Sequence, residues 1–118
     1  MNEISPQLQN QIAQFQQLQQ QLQNVTSQKM QMESQVRELK RTLSELEKTD
    51  EDSPVYKSVG SLLIKSSDRA GLKTEMEESV ETTEIRVKAL ERQEKSMREK
   101  FQTMQESLNR AMGGPKAN

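Results

Sequence analysis

From Ile4 to Leu46 apolar side chains recur in two interleaved series, each stepping by seven. One runs Leu8, Phe15, Leu22, Lys29, Val36, Leu43; the other, offset by three, runs Ile4, Gln11, Leu18, Val25, Met32, Leu39, Leu46. These are the a and d positions of a heptad repeat, broken only by Gln11 and Lys29. A pattern of this length predicts a coiled-coil helix. Ser5 is placed to cap it, with Pro6 at the first helical position, where a missing N–H does no harm. The predicted span is 6–48, about 65 Å at about 1.5 Å per residue.

The second half repeats the pattern. Val80, Val87, Glu94, Phe101 and Leu108 form an a series; Met76, Thr83, Leu90, Met97, Met104 and Ala111 form the d series, with Thr83 and Glu94 out of character. Gly113, Gly114 and Pro115 end this helix and leave 113–118 as a flexible tail. Its start has two readings: Asp68 as cap, with Gly71 weakening the first turn, or a capping box of Thr74 and Glu77. The earlier start, giving 68–112, is the expectation.

Between the helices, Ser53-Pro54 closes the first. "VYKSV" and "SLLIK", separated by Gly60, read as two short strands and a tight turn, a β-hairpin over 54–66. The helices must then fold back as an antiparallel pair. With the turn at Val59-Gly60, facing residue numbers sum to about 119. Leu43 falls by Met76, Met32 by Val87, Leu22 by Met97, Leu18 by Phe101 and Phe15 by Met104. Lys29 and Glu94 fall in adjacent layers, either as an interhelical ion pair or as two snorkelling side chains at a partly exposed seam. The fold class is therefore mainly α: a long antiparallel two-helix coiled coil joined by one β-hairpin, with 1–118 a single domain.

Composition closes off other classes. Aromatic residues are 3% and charged residues 30% of the chain, a poor recipe for a packed globule. Cys and His are absent, which removes a disulfide framework, the usual metal ligand and the commonest general base. The sequence offers no catalytic constellation, no phosphate loop and no cofactor or metal site, so an enzyme is not expected. The net charge of −1 argues against bulk attraction to nucleic acid or membrane. No apolar run approaches the roughly 20 residues of a membrane span, and "MNEISPQLQ" lacks the pattern of a signal peptide. A cytoplasmic protein is the expectation.

Two surfaces remain unexplained by the coiled coil. A lone two-stranded hairpin is marginal in water, and its apolar residues Val55, Tyr56, Val59, Leu62, Leu63 and Ile64 exceed what one face can use. Hairpins of several chains are expected to pair edge to edge into an intersubunit β-barrel. At the other end, where the termini meet, Ile12 and Met112 add e positions to the stripe. Ile4, Leu8, Ile12, Phe15, Phe101, Met104, Leu108 and Met112 gather there as an expected binding tip. Beside them, Gln7 to Gln28 carries no charged residue.

"QLQNQIAQFQQLQQQLQ" (7–23), "VYKSVGSLLIK" (55–65) and "ALERQEKSMREKFQTMQ" (89–105) together resemble the beta-type subunits of prefoldin, a chaperone of archaea and eukaryotes. The resemblance covers nearly the whole chain, and the room for one hairpin rather than two is similar to the beta class. It implies a hexamer of two alpha-type and four beta-type subunits. Arm tips would hold non-native client proteins and pass them to a group II chaperonin without ATP. Gly71 departs from what that family leads one to expect. The alternative reading is a structural coiled-coil tether that binds no client.

Overall fold

The computed structural model describes residues 4–113. In chain order it contains helix α1 (Pro6–Lys48), strand β1 (Tyr56–Val59), strand β2 (Leu62–Lys65) and helix α2 (Arg69–Ala111). Both helices are 43 residues long. The chain divides into two compact units. Unit 1 joins the N-terminal part of α1, through Met30, to the C-terminal part of α2 from Lys88; unit 2 is Gln31–Val87 and holds the hairpin.

Local chemistry explains each boundary. Ser5 caps α1: its Oγ accepts from the Leu8 N–H at 3.1 Å, and its carbonyl accepts the first helical bond from Gln9. At the start of α2, Asp68 Oδ1 accepts from the Gly71 N–H at 2.9 Å. This carboxylate also explains the unexpected glycine. A Cβ at position 71 would collide with the Asp68 side chain, so the residue that weakens the helix makes room for its cap. The capping box at Thr74 is not used. At the far end Gly113 takes φ +66°, the left-handed cap that only glycine adopts cheaply, and its N–H donates to the Arg110 carbonyl at 3.2 Å to close the last turn of α2. The expected tail beyond it lies outside the described residues.

In unit 2 the seam is a heptad core. Val36, Val80 and Val87 are buried together, with Met32, Leu39 and Leu43 packed against them. Unit 1 buries Leu18, Val25 and Leu108. Among the described residues no large side chain is fully buried, because two helices cover each other along one stripe only.

The hairpin is antiparallel, with Tyr56 opposite Lys65, Lys57 opposite Ile64, Ser58 opposite Leu63 and Val59 opposite Leu62. The loop is therefore Gly60-Ser61, one residue later than the turn placement read from the sequence. Gly60 has φ +58° and Ser61 does not share the positive φ, the pattern of a type II′ turn with glycine first. Ser66 N–H donating to the Val55 carbonyl at 2.8 Å extends the ladder by one bond.

Candidate functional site: two exposed apolar surfaces

The hairpin is apolar on both faces. Residues directly opposite share a face, so Val59, Leu62 and Ile64 lie on one side with Lys57, and Tyr56 and Leu63 on the other with Ser58 and Lys65. All five of these large side chains are exposed, up to 73% for Leu63; Val55, just before β1, is half-buried. Among the described residues, nothing pairs with either outer edge of this two-stranded sheet.

What holds the hairpin's base was not visible in the sequence. Arg69, the first residue of α2, reaches the end of α1. Its guanidinium donates to the carbonyls of Leu46, Thr49 and Asp50 and to Thr49 Oγ1. Helix C-termini carry carbonyls without partners and partial negative charge, so a cation there satisfies both. Nothing in a lone Arg after an N-cap signals this. Lys57 of β1 pairs with Glu75 of α2 at 3.2 Å, and Lys73 with Glu47 at 3.6 Å; these exposed pairs add little.

The second surface is the terminal end of unit 1, and all the residues singled out there lie in that unit. They differ in how free they are. Ile4 and Met112 are exposed, at 43% and 59%. Leu8, Ile12, Phe15, Phe101 and Met104 are half-buried, while Leu108 is buried in the seam. Phe15 and Phe101 stack with ring centroids 4.6 Å apart. The sequence register had set Phe15 by Met104 instead. Both phenylalanines occupy a positions, and the pair of rings spans the step between neighbouring layers. Beside them Gln14, Gln17, Leu18, Gln21, Lys100 and Met104 line a shallow open groove of about 350 Å³.

Between these features in the chain sits Glu94, buried although charged. Its Oε1 accepts from Lys29 Nζ at 2.7 Å, and its Oε2 from Thr26 Oγ1 at 2.6 Å and Arg98 at 3.3 Å. The ion-pair reading of the two heptad flaws is the observed one. The Lys29 ammonium, the Thr26 hydroxyl and Arg98 hold the carboxyl down at about 2, against the opposing pull of burial.

A family model described as "Prefoldin subunit" matches residues 9–114. The prefoldin beta subunit of Methanocella arvoryzae is 52% identical over 96% of this chain and 89% of its own. That of Archaeoglobus fulgidus is 46% identical over 92% of each chain. The chain belongs to the prefoldin beta subunits. The crystal structure of the prefoldin beta subunit from Thermococcus strain KS-1 agrees in fold, with TM-score 0.81 and 38% identity over 98% of this chain and all of that one. Prefoldin beta subunits are chaperone components, not enzymes, and assemble in the prefoldin complex. Among the described residues no helix is long and apolar enough to cross a membrane.

Proposed function

We propose that this prefoldin beta chain is one subunit of a cytoplasmic, ATP-independent holdase built from two alpha-type and four beta-type subunits. Its hairpin joins an intersubunit β-barrel through Val55, Tyr56, Val59, Leu62, Leu63 and Ile64. The apolar end of unit 1, from Ile4, Leu8, Ile12 and Phe15 to Phe101, Met104, Leu108 and Met112, holds non-native proteins for transfer to a group II chaperonin.

One observation carries this reading: of the nine exposed large apolar side chains among the described residues, five lie on the hairpin and two, Ile4 and Met112, at the terminal end, with Met30 and Ile85 the two elsewhere. A hairpin apolar on both faces, with open edges, needs neighbours on both sides, and barrel closure supplies them. The terminal end suits a different task. Ile4 and Met112 are exposed singly beside half-buried neighbours, so each contact is weak, and methionine adapts to many shapes. Several such ends acting together bind through avidity.

The test separates the two surfaces. Polar replacement of Leu63 and Ile64 breaks the complex, read as loss of the hexamer mass by native mass spectrometry in the presence of alpha subunit. Removing residues 1–12 and 108–118 leaves the hexamer intact and abolishes suppression of aggregation of an unfolded model protein. A truncated hexamer that protects as well as the parent rejects the reading, and so does an unchanged mass after hairpin substitution.

A further inference from the structure

Glu94 is the one buried charged side chain among the described residues, 8% exposed. It occupies an a position, where the repeat asks for an apolar residue. Lys29, also at an a position, is the other charged break in the pattern. The two lie 65 residues apart in the chain and meet in one layer of unit 1. Both oxygens of Glu94 are used, and Thr26 and Arg98 complete the set. The remaining flaws are unlike this one. Gln11 is neutral, and Thr83 donates to the Ser79 carbonyl within its own helix.

A heptad repeat has a weakness that such a layer removes. Sliding one helix past the other by seven residues again sets apolar against apolar at nearly every step, so neighbouring registers differ little in burial. The Arg69 contacts and the hairpin connection align the helices within unit 2; among the layers of unit 1, it is a position that is wrong in every register but one that discriminates. A slide of one heptad sets Lys29 against Phe101 in one direction and Glu94 against Leu22 in the other. Each leaves a charge in an apolar layer without its partner, which is strongly unfavourable.

We propose that the Glu94–Lys29–Thr26 layer is a register key, and that Glu94 is a positioning residue. It fixes the helices of unit 1 in the one alignment that stacks Phe15 on Phe101. It thereby decides which apolar side chains the terminal end presents. That last consequence rests on the proposed client-binding role; the register itself does not.

The chain has no cysteine, so two can be introduced cleanly. Gln16 and Glu99 are exposed, one on each helix of unit 1. Spin labels on cysteines at these positions, in full-length chains diluted with unlabelled ones, report the alignment by pulsed electron resonance. The parent gives one distance. Replacing both charged partners, Lys29→Leu with Glu94→Leu, leaves a helical protein that melts no lower than the parent but shows a second population, offset along the helix by about 10 Å, one heptad of rise. The reversed pair, Lys29→Glu with Glu94→Lys, restores a single distance. A single parental distance in the double-leucine protein overturns the proposal. So does failure of that protein to fold, which would make the pair a source of stability instead of register. A reversed pair that still shows two populations also overturns it. None of these readouts depends on client binding.

Discussion

Glu94 illustrates what a single side chain can decide. Its pKa is held at about 2, against an ordinary 4.5. A depressed carboxyl stabilises the fold fully above the unfolded value and loses that contribution as pH falls through the folded value. The shift corresponds to about 3 kcal/mol. Glu94→Gln is therefore less stable than the parent at pH 7, and the gap closes as pH falls from about 4.5 toward 2; thermal melts of both proteins across that range check it. Arg69 is a second deciding residue. Arg69→Ala leaves the end of α1 without its donors and lowers stability by about 1–3 kcal/mol in denaturant titrations. Arg69→Lys does not restore it, because one ammonium cannot reproduce the planar fork that meets three carbonyls. The sequence exposed Lys29 and Glu94 because they violate a period. It hid Thr26, Arg98 and Arg69, which violate nothing. A side chain that fits its local pattern and acts across the fold leaves no trace in that pattern.

Among the elements, the helices were legible because their signals are local and redundant: seven-residue spacing, the Ser5 cap before Pro6, the glycine stop. Asp68 and Gly71 looked like conflicting signals for the start of α2 until the structure put the carboxylate over the glycine. The hairpin was legible as strand, turn, strand, but its loop lies one residue later, at Gly60-Ser61, since two β-rich runs around one glycine do not fix which side of it the strands stop. Gly60 has open space around its Cα, so a substitution there meets only backbone strain. Gly60→Ala is expected to cost about 1–2 kcal/mol by chemical denaturation, while Ser61→Ala is close to neutral. Side-chain exposure on the hairpin followed from composition: Leu62, Leu63 and Ile64 are consecutive, and a strand sends neighbours to opposite faces.

The whole chain places its two exposed apolar surfaces on different units, one in the hairpin of unit 2 and one at the terminal end of unit 1. Sequence alone nominated the terminal residues as a group, yet could not rank them. Burial depends on how the two helices meet, which is why Leu108 is covered while Met112 is not. The uncharged run from Gln7 to Gln28 belongs at this scale too. Glutamines 14, 17 and 21 line the groove beside Met104; under the proposed client-binding role, their neutrality would keep that flank indifferent to client charge. Lysines at Gln14, Gln16 and Gln19 shift protection toward acidic clients, measured as the ratio of aggregation suppression for an acidic and a basic unfolded protein; an unchanged ratio contradicts this. On this reading the two surfaces have different occupants. A photo-crosslinking amino acid placed at Ile4, Met112 or Leu63 in the assembled complex, with an unfolded client added, identifies the occupant of each surface from its adducts. Client adducts are expected from positions 4 and 112, and subunit-to-subunit adducts from position 63. Client captured at position 63, with none at 4 or 112, would contradict this reading.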